Sequence, residues 1–130
     1  MSDLNAYWLL QRAHSHLGTA KDELNRPSEA IVTFSVCQQS KNVLSDFLRS
    51  FLLLNGIKTT GLADLESLRM ACSLIDTRFE QIDLSCMSCH PTITDGNDHY
   101  CLDIERVRKC LDIADQVKKT VDDAFRNKEK

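Results

Sequence analysis

The chain has 130 residues, of which 42% are hydrophobic and 27% charged, with only 4 glycines and 2 prolines. This composition predicts a single domain over residues 1–130 and excludes a disordered tail, a collagen-like repeat and a linker-dominated chain. The net charge of −3, from 16 Lys and Arg against 19 Asp and Glu, disfavours nucleic-acid binding driven by overall charge.

The sequence also predicts the absence of a membrane span and of an export signal. The longest strongly apolar run, Phe51 to Leu54, is far shorter than the roughly 18 residues of a membrane helix. Residues 1–10 contain no basic stretch leading into an apolar run. The six cysteines are therefore expected to be thiols in a reducing compartment. We expect a cytoplasmic protein with no membrane contact.

The first helix is predicted from about Asp3 to Leu24, where apolar residues recur at spacings of three and four. Gly18 lies inside this segment, and a glycine in a helix predicts close packing against a neighbour. The stripe consists of Ala6, Leu10, Ala13, Leu17, Ala20 and Leu24.

The second helix is predicted from about Pro27 to Asn55, with Gly56 as the left-handed residue that ends it. Its last two turns are apolar on nearly all sides, so neighbouring elements must pack against several faces of this helix. This pattern predicts a central helix whose end also contacts a second subunit, and hence a homodimer. The residues concerned are Phe47, Leu48, Phe51, Leu52, Leu53 and Leu54.

A third helix is predicted from an apolar stripe between Leu62 and Ile82, with Thr60 as a possible N-cap. The helical period is lost from Asp83 to about Asp98, which predicts a long loop. A fourth helix follows from about Leu102 to Arg126, and its apolar stripe consists of Ile104, Val107, Leu111, Ala114, Val117, Val121 and Phe125. Four helices without a strand pattern predict an all-α, antiparallel up-and-down four-helix bundle.

The order of these elements resembles the HEPN domain (higher eukaryotes and prokaryotes nucleotide-binding). The resemblance is carried by AIVTFSVCQQSKNVL at residues 30–44, by FLRSF at 47–51, by Asn55-Gly56 and by IERV at 104–107. It implies a helical bundle that commonly dimerises and is often encoded beside a minimal nucleotidyltransferase in toxin–antitoxin pairs. Active members of the family cut RNA without a metal.

The sequence departs from the motif of those active members, which is an Arg, four to six residues and then a His. Arg78 precedes His90 by too many residues, and Arg12 precedes His14 by too few. We therefore expect a non-catalytic binding or regulatory module, associated with a nucleotidyltransferase or a nucleotide. The alternative from the enzyme class is an RNase that pairs His14 or His16 with Arg106 across a dimer.

Five polar residues are candidates for nucleotide binding. Imidazoles titrate near neutral pH, and amide or ammonium groups on a long helix can hydrogen-bond a phosphate or a base. The alternative is that these are ordinary polar residues on the open sides of helices. The candidates are His14, His16, Gln38, Gln39 and Lys41.

The predicted loop contains CMSCH at residues 86–90, whose C-x-x-C-H spacing is that of c-type haem attachment. We set haem aside because no export signal is present. Cys86 and Cys89 with His99 and Cys101 offer four zinc ligands, which gives a third hypothesis of a zinc-stabilised bundle. A Cys86–Cys89 disulfide is a further alternative. We expect reduced thiols in a polar loop and no bound cofactor.

The fourth helix mixes both signs of charge, which predicts a solvated surface with i, i+4 ion pairs. It offers no basic stripe for a phosphate backbone, and the aromatic residues Tyr7, Trp8 and Tyr100 are too scattered for a base-stacking platform. Nucleic-acid binding is not expected.

Overall fold

The computed structural model describes residues 2–25, 33–62, 64–84 and 104–129. These residues form four α-helices and no strand, which confirms the all-α prediction. The elements are α1 (Ser2–Leu24), α2 (Thr33–Leu54), α3 (Leu65–Ser73), a 3-10 turn (Thr77–Gln81) and α4 (Ile104–Glu129). The predicted start of the second helix at Pro27 and most of the predicted loop lie outside the described residues.

Helices α1 and α2 run antiparallel. Arg12 of α1 contacts Asp46 of α2 near the middle of both helices. In a parallel arrangement, the rise of 1.5 Å per residue would place Leu24 and Thr33 about 37 Å apart along the helix axes. The nine chain steps between them reach at most about 32 Å. The segment between the two helices is therefore too short for a parallel arrangement, and α1 and α2 must be antiparallel.

Helix α4 also runs antiparallel to α1. His14 pairs with Asp122, whereas Lys21, further along α1, pairs with Asp115, earlier in α4. Helix α2 contacts each of the other three helices, as the sequence predicted for a central helix. The α1–α2 and α1–α4 directions are those of an up-and-down bundle.

The predicted stripes of α1 and α4 form the core. All six stripe residues of α1 are buried, as are the described stripe residues of α4. One cluster of buried residues includes side chains from all four helices and the 3-10 turn. The buried α4 residues on the predicted stripe are Leu111, Ala114, Val117, Val121 and Phe125.

The end of α2 follows the prediction at Gly56. This glycine has φ +77°, in the left-handed region. The Gly56 N–H donates to the carbonyl of Leu53 (3.0 Å) and the Ile57 N–H to that of Leu52 (2.9 Å). These two bonds form a Schellman motif, which satisfies carbonyls at the helix end.

The apolar end of α2 is covered within the chain itself. Phe47, Leu48, Phe51, Leu52 and Leu54 are buried, and Leu53 packs partly buried against the same core. The surface from which a homodimer was predicted is therefore not exposed in the monomer. The prediction underestimated how much of this helix its three neighbours cover.

The third helix is shorter than predicted. It begins after Asp64, whose side chain accepts a hydrogen bond from the Ser67 N–H, so Asp64 and not Thr60 is the N-cap. It ends at Ser73, and Asp76 then caps the separate 3-10 turn. The break exposes Ile75, which the predicted stripe placed in the core. Residues on either side of the break, including Leu68, Cys72, Phe79 and Ile82, are buried as expected.

Gly18 was expected to allow close packing, and this expectation is wrong. It is exposed, and a Cβ atom added there would meet no atom within 4 Å outside its own helix backbone. Within the described part of the chain, no helix is long and apolar enough to cross a membrane.

Candidate functional site

A histidine–carboxylate pair joins α1 to α4. His14 Nε2 lies 2.8 Å from Asp122 Oδ1, and the His14 ring packs edge-on against Phe47 of α2 with 5.5 Å between ring centroids. The other oxygen of the Asp122 carboxylate, Oδ2, lies 3.4 Å from Lys118 Nζ. One carboxylate is thus shared between an imidazole and an ammonium group. Both His14 and Asp122 are partly exposed, so solvent protons reach the pair.

Beside this pair, α1 and α4 form a groove of about 550 Å³, called here the basic groove. It contains three cationic side chains and one carboxylate, whereas the whole chain carries a net charge of −3. Its lining residues are Tyr7, Leu10 and Gln11 of α1 and Lys118, Lys119, Asp122, Phe125 and Arg126 of α4.

The groove has an apolar wall as well as cations. The Tyr7 ring meets the Phe125 ring edge to face, with centroids 5.0 Å apart and an interplanar angle of 74°. Phe125 is buried, whereas Tyr7 is only partly buried. Aromatic faces of this kind contribute apolar contact area to a bound ring.

Ion pairs fix the far end of the groove. Arg126 lies 3.6 Å from Asp123, which also accepts a hydrogen bond of 3.1 Å from Arg78. Arg78 in turn binds Asp76, and these side-chain hydrogen bonds hold the pKa of the Asp76 carboxyl below its usual value. The 3-10 turn is thereby attached to the last turns of α4.

Lys119 differs from the other cations of the groove. Lys118 lies near Asp122 and Arg126 near Asp123, but no described carboxylate forms an ion pair with Lys119. Lys119 is exposed, so its ammonium group is available to an anionic ligand. The basic groove can therefore bind an anion without breaking every existing ion pair.

A second groove, at the other end of the α1–α4 contact, has a different charge balance. It has about 330 Å³, and its two cationic side chains are matched by two carboxylates. Lys21 and Asp115, which line it, form an ion pair of 2.7 Å. Because its charges compensate each other, this groove is the weaker candidate for an anion. Its charged lining residues are Lys21, Arg108, Asp112 and Asp115.

The predicted nucleotide-binding residues do not come together. His14 meets α2 at Phe47, and Gln38 lies half a turn around α2 from that residue at 100° per residue. Gln38 is exposed, and Lys41 is partly exposed on the side of α2 away from Phe47. Gln39 is partly buried and lies about 12 Å along the helix axis from Phe47. Of the five candidates, only His14 adjoins the basic groove.

The pairing of His14 or His16 with Arg106 is not assembled within one chain. His14 contacts Asp122, and about 24 Å of α4 separates that residue from the backbone position of Arg106. His16 is exposed and lies about 200° around α1 from His14. The two histidines therefore do not share a site.

The zinc hypothesis concerns residues that the structure does not describe, since Cys86, Cys89, His99 and Cys101 all lie in 85–103. Among the described residues, no three His, Cys, Asp or Glu side chains are grouped to hold a metal ion. Cys72 and Cys110 are buried cysteine residues.

Sequence reasoning missed most of the basic groove. Lys118, Lys119 and Asp122 were assigned to a solvated mixed surface, and Tyr7 to scattered aromatics. The one available signal was the i, i+4 spacing of Lys118 and Asp122, which matches their observed contact. Which α1 residues face them depends on how α1 and α4 align, and no local pattern specifies that.

Comparison of the chain with protein-family models, with characterised proteins and with solved structures gave no match.

Proposed function

We propose that the chain is a non-catalytic binding module that takes a small anionic ligand, a phosphate-bearing molecule above all, in the basic groove. The observation that carries this proposal is the gathering of Lys118, Lys119 and Arg126 around one groove of an acidic chain. The resemblance to HEPN domains makes a nucleotide the expected ligand class.

The dimensions of the groove support a ligand of that size. Small-molecule sites commonly have volumes of about 300–1,000 Å³ and combine apolar walls with a few polar groups. The basic groove, with about 550 Å³, falls in this range. Tyr7 and Phe125 offer the apolar wall, while Lys118 and Lys119 offer charge to a phosphate.

The surroundings of His14 support a binding role rather than RNA cleavage. Cleavage by a 2′-OH nucleophile needs a base or acid beside a cation that stabilises the phosphorane. The Nε2 atom of His14 is occupied by Asp122, and His14 is not among the residues that line the groove. Purified protein should leave RNA intact. Chelator-resistant cleavage that is lost in both His14→Ala and His16→Ala would contradict this part of the proposal.

The proposal includes a protein partner. On the family resemblance, we expect a minimal nucleotidyltransferase and a second copy of the chain. The homodimer now rests on that resemblance alone, because the apolar end of α2 is covered within the chain. Light scattering distinguishes the 14.8 kDa monomer from a dimer of twice that mass.

The binding proposal is tested by titrating the protein with AMP, ADP, ATP and inorganic phosphate in a calorimeter. Lys119→Ala should weaken binding about fivefold, the effect of losing about 1 kcal/mol of charge interaction at a solvated site. Lys109→Ala is the matched control, since Lys109 is exposed on the same helix outside the groove. Absence of binding at millimolar concentration, or equal losses in both variants, would overturn the proposal.

A further inference from the structure

Asp122 lies between the basic groove and the imidazole ring of His14. Its carboxylate lines the groove and binds Lys118 with Oδ2 and His14 with Oδ1. His14 itself does not line the groove and therefore influences a bound ligand through Asp122. The charge on His14 determines how much of the Asp122 charge remains to oppose an anion and to hold Lys118.

We infer that His14 is a positioning residue that couples protonation to anion binding in the basic groove. The inference rests on the proposed function and adds its regulation. When His14 is neutral, the Asp122 charge repels an anionic ligand and attracts Lys118. When His14 carries a proton on both ring nitrogens, it compensates Asp122, and Lys118 becomes available to the ligand.

The coupling needs no rearrangement of the His14–Asp122 contact. The Nε2–H group donates to the Asp122 carboxylate in the neutral and in the charged form of the ring, because protonation adds its proton at Nδ1. Protonation of His14 therefore changes the net charge of the His14–Asp122 pair and leaves its hydrogen bond in place. The ordinary range in which an imidazole gains or loses its proton, between about pH 5 and 8, is therefore the range to test.

Among the described residues, the other charged groups facing His14 are themselves held in ion pairs. From α2 it meets the uncharged Phe47 ring, and the neighbouring Asp46 is bound by Arg12. From α4 it meets Asp122, with Lys118 behind it.

Further along the α1–α4 contact, Lys21 and Asp115 form an ion pair with each other. Among the described residues in and around the pair, His14 is the one imidazole.

The test uses inorganic sulfate as the probe, because sulfate keeps two negative charges throughout the range whereas phosphate titrates. Binding is followed by the amide chemical shifts of α4 at several pH values from 5.5 to 8.5. We expect sulfate to bind about five- to tenfold more tightly at the lowest pH. His14→Gln, which retains a donor for Asp122, should abolish the pH dependence. His16→Gln is the matched control and should retain it, because His16 is exposed on the far side of α1.

Asp122→Asn provides a second, independent variant. It should bind sulfate at pH 8.5 about as tightly as the unmodified protein does at pH 5.5, because in both cases no uncompensated carboxylate at position 122 faces the ligand. In the unmodified protein, sulfate should also move the midpoint of the His14 ring titration to higher pH, because linkage is reciprocal. That measurement needs no variant, so it still tests the coupling if His14→Gln fails to fold.

The possible results separate the two proposals. Equal sulfate affinity at every pH, or an unchanged pH dependence in His14→Gln, overturns the coupling and leaves anion binding intact. Absence of binding by sulfate at all pH values and by every nucleotide overturns both.

Discussion

Arg12 of α1 and Asp46 of α2 form a two-point ion pair, with Nε 2.9 Å from Oδ2 and Nη2 2.7 Å from Oδ1. Asp46 is only 6% exposed. On its other side, the Arg12 guanidinium lies 4.7 Å from the centre of the Trp8 ring, which is 61% exposed. A buried carboxylate thus receives its compensating charge from a partly exposed residue, and the pair links α1 to α2.

Arg12→Ala should destabilise the protein by about 2 kcal/mol. Removing one partner of a buried ion pair costs about 3–5 kcal/mol, and the partial exposure of Arg12 reduces that loss. Urea unfolding measures it. Arg126→Ala is the matched control, because Arg126 is exposed and its pair with Asp123 should contribute less than about 0.5 kcal/mol. Equal losses in the two variants would show that Asp46 does not need Arg12.

Gly18→Ala should stabilise the protein by about 1 kcal/mol, because alanine favours a helix interior and the added Cβ meets no neighbour. Gly56→Ala is its counterpart. It should destabilise by about 1 kcal/mol, because Gly56 has φ +77° at the end of α2. Thermal or urea unfolding compares the two substitutions. A change of the same sign in both would contradict the difference in backbone conformation.

Stability should fall as the pH drops below about 4.5. Hydrogen bonds lower the pKa of three carboxyls near α3: those of Asp76 with Arg78, of Asp64 with the Ser67 N–H and of Glu66 with Arg69. A carboxyl whose pKa is lower in the folded state stabilises the protein above its unfolded pKa. That contribution is lost as the pH falls through the folded pKa.

The measurement for this pH dependence is the melting temperature between pH 5 and pH 3. Arg78→Gln removes the guanidinium hydrogen bonds to Asp76 and keeps the one from the backbone N–H of residue 78, so the melting temperature should fall somewhat less over this interval. Lys58→Gln, in the exposed turn after α2, should behave as the unmodified protein does. An identical fall in all three proteins would contradict the role of the Asp76–Arg78 pair.

Cys72 should resist alkylation in the folded protein. Its Sγ donates a hydrogen bond of 3.5 Å to the Leu48 carbonyl, and burial raises the pKa of the Cys72 thiol to about 12. Because the thiolate is the reactive form, iodoacetamide at pH 8 should modify the Cys72 peptide only after unfolding. Peptide mass spectrometry follows the reaction. Modification at equal rates with and without urea would refute the prediction.

The helices and their buried faces were predictable from the sequence wherever the pattern was local. Leu10 and Leu17 of α1, and Val117 and Val121 of α4, recur at helical spacing and are buried as expected. Gly56 was predictable for the same reason, because a left-handed helix end is a preference of the residue itself.

The third helix shows where local pattern misleads. A continuous stripe from Leu62 to Ile82 predicted one helix, but two acidic caps, Asp64 and Asp76, divide the segment into a helix and a 3-10 turn. Both segments bury apolar residues, so the stripe persists through the break. Hydrophobic spacing therefore identified most of the buried residues of this segment, but it identified neither the exposure of Ile75 at the break nor the end of the helix.

What the sequence determined by itself is the presence of the described helices and most of the residues that each one buries. This follows because helical periodicity is a property of residues three or four positions apart. The pairing of His14 with Asp122 was decided only by the tertiary structure, as was the position of Tyr7 beside Lys118 and Lys119. Those contacts join residues about a hundred positions apart, and the alignment of α1 on α4 arises from packing both helices against α2. Local sequence thus predicts the helices, whereas the basic groove forms only when α1 and α4 pack side by side.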